Sequence, residues 1–260
     1  MGHERLGHLP THRKKWKEIV DQISQLPDGT ISVEEIVENT AKNIDNRFRN
    51  LCIDKIVQSA FTFLIALSVS GRDKDPYKKL RSLGIDLNAS ATPIRLGISL
   101  RSFINDKNSS LEYSKLVQDA TIKTLSYFYK LKDAQGDLFH SKDEPFNVWK
   151  KASNGSGFCD LSRQFFANLT SGYFKYILDR EASSVLPTVE ARENFKQRLN
   201  QHIEDISHHS FETAKITQSF AAGWYNKHAI DKFPSTREIK SFIGLAGNKI
   251  RETLLREARE

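Results

Sequence analysis

The chain has 260 residues, of which 38% are hydrophobic and 27% charged, so it can bury a sizeable core as one large domain or two small ones. Its 13 glycines and 7 prolines are few, which favours long helices over many short strands. The net charge of +7 suits contact with nucleic acid or with an acidic protein, and from the polar N-terminus we expect no signal peptide.

The longest apolar run covers residues 56–69. It is too short to span a bilayer and contains several polar residues, so it predicts a buried core helix. The two cysteines, Cys52 and Cys159, lie in apolar helical patterns and are predicted to be buried thiols in a reducing compartment. We therefore expect a cytoplasmic protein without a membrane partner.

Helix-starting signals recur through the first half of the chain. The first helix is predicted to begin after Thr11, and Ser32 with Glu35 forms a capping box that opens a second helix continuing into the apolar run. Asp75 and Thr92 each precede a proline, a pattern that predicts two further helix starts. A longer amphipathic helix follows before residue 131.

Glycine, proline and short polar residues cluster at residues 131–157. This cluster predicts a boundary between an N-terminal helical region, residues 1–144, and a C-terminal helical region, residues 145–260. In the second region we predict an aromatic-rich helix over residues 158–185 and the longest helix over residues 188–230. The sequence as a whole predicts an all-α fold, a multi-helix bundle of roughly eight helices in one or two helical halves.

The C-terminal segment, residues 235–258, has the pattern of a helix-turn-helix. A capping box opens a first helix, the Gly-Leu-Ala of residues 244–246 forms the turn, and a basic helix follows. The order Arg-Glu-Ile, Gly-Leu, Ile-Arg and Leu is similar to the response-regulator and sigma-factor type of helix-turn-helix. On this interpretation the residues that contact nucleic acid are Arg237, Lys240, Asn248, Lys249, Arg251 and Arg256. The alternative is one continuous amphipathic helix over residues 236–259.

A second candidate for nucleic-acid contact is the basic run at the start of the first helix. Cations in a first turn oppose the helix dipole, at a cost of a few tenths of a kcal/mol each. Contact with phosphates would offset that cost, and a solvated face or an acidic partner protein is the alternative. The residues concerned are Arg13, Lys14, Lys15 and Lys17.

A third pattern could hold a metal ion. His202, Asp205 and His209 stand at i, i+3 and i+7 on one helix face, and imidazole with carboxylate is a common ligand set for divalent ions. No second helix offers a matching pair, and a half-buried polar histidine explains the pattern equally. The sequence therefore predicts no cofactor, with these three residues as weak metal candidates.

Two further patterns have structural explanations. The Asn-Gly-Ser-Gly of residues 154–157 could hold an anion on its backbone N–H groups, but it lacks both the Lys-Ser/Thr ending and the preceding strand of a P-loop. The aromatic residues of 158–185 could stack on bases, but helical spacing favours a core or a protein interface.

The sequence contains no arrangement typical of nucleophilic catalysis. We therefore expect a non-catalytic helical binding subunit of a larger complex that contacts nucleic acid, DNA rather than RNA, through basic helices. The alternative is a protein–protein adaptor in which the aromatic helix is the interface, and a metal-dependent enzyme is the third hypothesis. The absence of housekeeping motifs leads to the further hypothesis of a bacterial, phage-defence context.

Overall fold

The computed structural model describes residues 14–87, 91–105, 113–134, 145–213 and 216–257. These residues form eleven α-helices, two short 3-10 helices (Leu26–Asp28 and Pro145–Asn147) and no strand. The α-helices are α1 (Lys14–Ser24), α2 (Val33–Ile53), α3 (Lys55–Ser70), α4 (Pro76–Ser82), α5 (Pro93–Asn105), α6 (Ser114–Ala134), α7 (Val148–Ala152), α8 (Gly155–Val185), α9 (Val189–Thr213), α10 (Ile216–His228) and α11 (Thr236–Glu257).

The all-α prediction is confirmed, but the predicted number of helices is too low. One predicted helix is divided at Asp54, whose extended backbone ends α2 and whose side chain accepts a hydrogen bond from Ile56 N at the start of α3. The predicted helix over 188–230 corresponds to α9 and α10, with residues 214–215 outside the described part. The longest described helix is α8, with 31 residues. Local capping chemistry at Asp54 outweighs the continuous apolar periodicity.

Helix α3 forms the centre of the core. Thirteen of its sixteen residues are buried, so only a narrow strip near its start, with Lys55, meets solvent, and other helices must cover the rest. Helices from both ends of the chain provide that cover, including α5, α6, α8 and α11. The predicted division between residues 144 and 145 stays a prediction, because it falls outside the described residues; the described helices on both sides of it share one hydrophobic core.

No described helix is by itself long and apolar enough to cross a membrane. One pair of segments, residues 47–53 and Lys55–Ser70, passes that test together, but it is bent by 47°. The apolar length of α3 is instead buried among other helices of the protein.

Phe242 joins α11 to this core through aromatic packing. Its ring stacks on Phe61 of α3, with a centroid distance of 5.4 Å and an interplanar angle of 7°. It also lies 5.4 Å from the ring of Phe220, 4.8 Å from Trp224 and 5.5 Å from Phe158. Rings from α3, α8, α10 and α11 therefore meet at one residue, and each such pair stabilises the fold beyond simple burial.

A partly buried polar network holds the C-terminal end of α3. Ser68 Oγ donates to the carbonyl of Ala152 (2.6 Å) and lies 2.9 Å from Tyr225 Oη. The guanidinium of Arg72 donates to Tyr225 Oη (3.2 Å) and to the carbonyls of Ala229 and Ile230, which follow the end of α10. This network fixes α7 and α10 against α3.

The packing of α11 sets its direction. Phe242 lies against Phe61 of α3, whereas a side chain at Gly247 would meet Cys52 of α2, with its Cβ 2.7 Å from Sγ. Because α3 follows α2 in the chain, α11 runs antiparallel to the α2–α3 path. Both cysteines are buried free thiols, as predicted, and burial raises the pKa of Cys52 to about 12, so it acts as a packing group.

Removal of the Phe242 ring should strongly destabilise the protein. For Phe242→Ala we expect the free energy of unfolding to fall by about 3–5 kcal/mol, because a large buried ring leaves a cavity. Leu245→Ala on the same helix is the matched control, because Leu245 is 47% exposed, and it should change stability by less than about 0.5 kcal/mol. Urea denaturation measures both, and equal effects would contradict the central role of Phe242.

Candidate nucleic-acid interface

The C-terminal segment is one helix, so the helix-turn-helix prediction is wrong. α11 is continuous from Thr236 to Glu257, and residues 244–246 are helical. Ala246 and Gly247 are small because they pack closely on neighbouring helices, with Gly247 against Cys52, and not because the chain turns there. The alternative prediction, one continuous amphipathic helix, is confirmed over the described residues, and no separate recognition helix protrudes from it.

The structure separates the six predicted contact residues of α11 by helix face. Arg237 and Asn248 are exposed on the side opposite the buried stripe, and Lys240 is exposed nearer the edge of that stripe. Arg251 is half-exposed on the same side, whereas Lys249 lies on the flank, where its Nζ is 2.9 Å from the Glu252 carboxylate. The side chain of the sixth, Arg256, lies outside the described part.

Glu238 is the only acid in residues 236–248, and its carboxylate is bound in the N-terminal cap of α11. The Glu238 carboxylate accepts hydrogen bonds from the hydroxyl and backbone N–H of Ser235, both at 2.7 Å, and lies 2.8 Å from His228 Nδ1. These bonds, led by the one from the Ser235 hydroxyl, lower the pKa of Glu238 to about 2. The carboxylate is therefore committed to the N-terminal cap of α11, and the outer face of α11 up to Asn248 has no acid.

Sequence reasoning missed three exposed cations on the helices beside α11. Lys42 and Arg49 lie seven residues apart on the solvated ridge of α2, and Lys55 is exposed at the start of α3. The excess of bases over acids in residues 42–101 was the available signal, but it does not tell which side chains share a surface. We call this set, with the exposed α11 cations, the α11–α2 basic surface: Lys42, Arg49, Lys55, Arg237, Lys240 and Arg251.

The basic run of α1 lies on the other side of α2. Gln22 of α1 is 3.2 Å from Asn39 of α2, and Asn39 and Cys52 fall on different sides of α2, about 140° apart around its axis. The ridge that carries Lys42 lies between these two sides. Of the predicted residues, Lys15 shares the Gln22 face of α1, seven residues before Gln22.

The other residues of the basic run of α1 do not share the Gln22 face. Lys14 and Lys17 are exposed but lie on other faces of α1, among the exposed acids Glu18 and Asp21. Arg13 lies outside the described residues. The basic run of α1 and the cations of α11 therefore lie on different sides of α2.

The three metal candidates are not brought together as a site in the described residues. Both carboxylate oxygens of Asp205 accept from Gln201 Nε2, at 3.0 and 3.1 Å, and the group is exposed. His202 is half-buried, and the side chain of His209 lies outside the described part. Among the residues that are described, no group of three His, Cys, Asp or Glu side chains could hold a metal ion.

The glycine-rich loop and the aromatic helix have structural roles. Asn154 caps α8 by accepting a hydrogen bond from Gly157 N at 2.9 Å. A side chain at Gly155 would meet Ala222, and one at Gly157 would overlap the Lys151 carbonyl, so both glycines permit close packing. The aromatic rings of α8 that were candidates for an exposed interface are instead core residues, buried in the protein: Phe158, Phe165, Phe166, Tyr173 and Phe174.

The fold and these surfaces define an all-α helical protein with an extended basic face. Comparisons with protein-family models, with curated proteins and with solved structures found no match. The functional argument therefore depends on the geometry of the chain itself.

Substitutions at two glycines of α11 test whether this segment is a continuous helix or contains a turn. Gly244 has open space around it and a helical backbone, so Gly244→Ala should raise the free energy of unfolding by about 0.5–1 kcal/mol. Gly247→Ala is the matched variant, and it should destabilise by about 1–3 kcal/mol because its Cβ would meet Cys52. Thermal denaturation measures both, and destabilisation by Gly244→Ala would instead support a turn at this position.

Proposed function

We propose that the protein is a non-catalytic, helical nucleic-acid-binding protein that contacts the phosphate backbone of double-stranded DNA through the α11–α2 basic surface. The observation that carries this proposal is the series of exposed cations along α11, from Arg237 and Lys240 in its N-terminal half to Arg251 in its C-terminal half. Because α11 runs antiparallel to the α2–α3 path, the half with Arg251 is the one beside the part of α2 that carries Arg49. Clustered cations on one side of a protein are the electrostatic basis of nucleic-acid binding.

The length of this surface suits a DNA backbone. Arg237 and Arg251 are separated by about 21 Å along the axis of α11, at about 1.5 Å per residue. A phosphate strand advances by about 3.4 Å per nucleotide, so α11 spans about six steps. Asn248 between them adds an amide that can donate to a phosphate oxygen.

The shape of the surface favours backbone contact over base readout. Reading of base edges requires an element that enters a groove, as the second helix of a helix-turn-helix does. α11 is instead seated along α2 and α3 with one face buried, so its cations reach outward from a broad surface. We expect binding with little sequence preference and with strong salt dependence.

The test is binding of the purified chain to labelled duplex DNA across a salt series. The Arg237→Gln/Lys240→Gln variant should bind more weakly at low salt. The slope of log K against log salt should become shallower by about 1.8, because each lost phosphate contact contributes about 0.9. Two duplexes of unrelated sequence should give similar affinities.

The matched control is Lys123→Gln/Lys196→Gln. It removes the same charge from exposed lysines of α6 and α9, and it should retain the slope of the original protein. Circular dichroism should show the same helicity for both variants, since all four side chains are exposed. Absence of binding at low salt, or equal losses in the two variants, would contradict the proposal.

A further inference from the structure

The most exposed aliphatic side chain described in this protein is Ile94 of α5. Ile94 is 78% exposed and Ile98 is 66% exposed, and Ile122 of α6, at 37%, lies against Gly97 of the same helix. Isolated apolar side chains are ordinary on protein surfaces, but a contiguous group commonly marks an interaction site. Ile94 and Ile98 are four residues apart on one helix face, so their side chains are neighbours. We call this group, with Gly97, the α5–α6 patch.

Gly97 forms a notch in the patch. A Cβ placed at Gly97 would meet only the side chain of Ile122, at 3.8 Å, which is ordinary van der Waals distance. The backbone of Gly97 is helical and does not have a positive φ, so neither conformation nor close packing requires glycine here. Glycine within a helix costs about 0.5–1 kcal/mol relative to alanine. Gly97 therefore leaves open space in the patch at a position where alanine would stabilise the helix more than glycine does.

The charges around the patch are predominantly positive. Among the described side chains of α5 and α6, the cations Arg95, Arg101 and Lys115 are exposed near it, and one acid, Asp119, is exposed. A symmetric pairing of two such patches would bring cations of the two copies together, which disfavours a second copy of this chain as the occupant. An apolar segment with flanking acids fits both the notch and its rim.

We propose that the α5–α6 patch docks an acidic amphipathic helix of a partner protein. Its apolar side chains, at i and i+4 spacing, contact Ile94, Ile98 and Ile122, and one of them enters the notch at Gly97. Its carboxylates face Arg95, Arg101 and Lys115. This is the helix-in-groove mode of peptide recognition, with charge complementarity setting orientation.

The patch and the α11–α2 basic surface can be occupied together. On α3, Phe61 contacts Phe242 of α11, and Phe63 contacts Phe103 of α5 at a centroid distance of 5.8 Å. Two residues apart on a helix is about 200° around its axis, so α5 and α11 pack on opposite sides of α3. The partner would therefore be held on the side away from the proposed DNA surface.

The experiment uses a fluorescent alanine-based helical peptide with leucines at i and i+4 and glutamates on the flanks. Anisotropy should show saturable binding to the full chain. The Ile94→Ser/Ile98→Ser variant and the Gly97→Leu variant should each weaken binding at least tenfold, the first by removing the apolar contacts and the second by filling the notch. Arg101→Glu should weaken binding and reduce its salt dependence.

Two controls distinguish this proposal from non-specific apolar binding and from the DNA proposal. Val189→Ser removes another exposed aliphatic side chain, 67% exposed on α9, and should leave peptide binding unchanged. All patch variants should retain DNA affinity, so failure of the patch proposal and failure of the DNA proposal give different results. Gly97→Leu should fold normally because its Cβ is accommodated.

Several results would overturn the proposal. These are no binding of the acidic peptide, equal binding of a peptide in which lysines replace the glutamates, or binding insensitive to the patch variants. Self-association of the chain in sedimentation, lost in Ile98→Ser, would assign the patch to a second copy. Binding to vesicles of anionic lipid, lost in Ile94→Ser/Ile98→Ser without peptide binding, would assign it to a membrane surface.

Discussion

The burial of α3, thirteen of whose sixteen residues are buried, is the constraint on which the rest of the structure depends. A helix with so much apolar surface is stable in water only when other helices cover it, because removal of that surface from solvent drives folding. Phe61 on one side packs against Phe242 of α11, and Phe63 on the other side packs against Phe103 of α5. The N-terminal and C-terminal parts of the chain are thereby joined around a single helix.

Both proposed binding surfaces are consequences of this arrangement. Because Phe242 fixes one face of α11 against the core, the opposite face, with Arg237 and Lys240, must point into solvent. Because the buried face of α5 contains Phe103 and Leu100, its opposite face presents Ile94 and Ile98. The first surface is cationic and broad, and the second is apolar with a cationic rim. A protein with both could connect a nucleic acid to an acidic partner through a rigid helical core.

Features determined by neighbouring residues could be predicted from the sequence. The capping boxes of Ser32 with Glu35 and of Ser235 with Glu238 are both present, and the apolar run is the buried core helix. Features that depend on distant residues could not. The small residues of 244–247 fit a turn and a tightly packed helix equally well, and the outcome depends on Cys52, almost two hundred residues earlier in the chain.

The same limit applies to the candidate sites. Arg237, Lys240 and Asn248 were identified through the helix-turn-helix interpretation, which is wrong, and they are exposed because α11 is amphipathic. Lys42, Arg49 and Lys55 lie on helices that the packing of α11 brings beside it. Lys249 is adjacent in sequence to Asn248 yet lies on the flank beside Glu252, a position that follows from helical periodicity once the segment is one helix. The exposure of Ile94 and the notch at Gly97 likewise depend on how α5 meets α6.

Site-specific photo-crosslinking to DNA tests the central claim, that the outer face of α11 is where nucleic acid binds. A photoreactive phenylalanine analogue would be placed at Ser241, exposed beside Lys240, and in a second protein at Ser183, exposed on α8. We predict crosslinks to labelled duplex DNA from position 241 that disappear as salt is raised, and few from position 183. Equal crosslinking from both positions, or crosslinking from position 183 alone, would contradict the account.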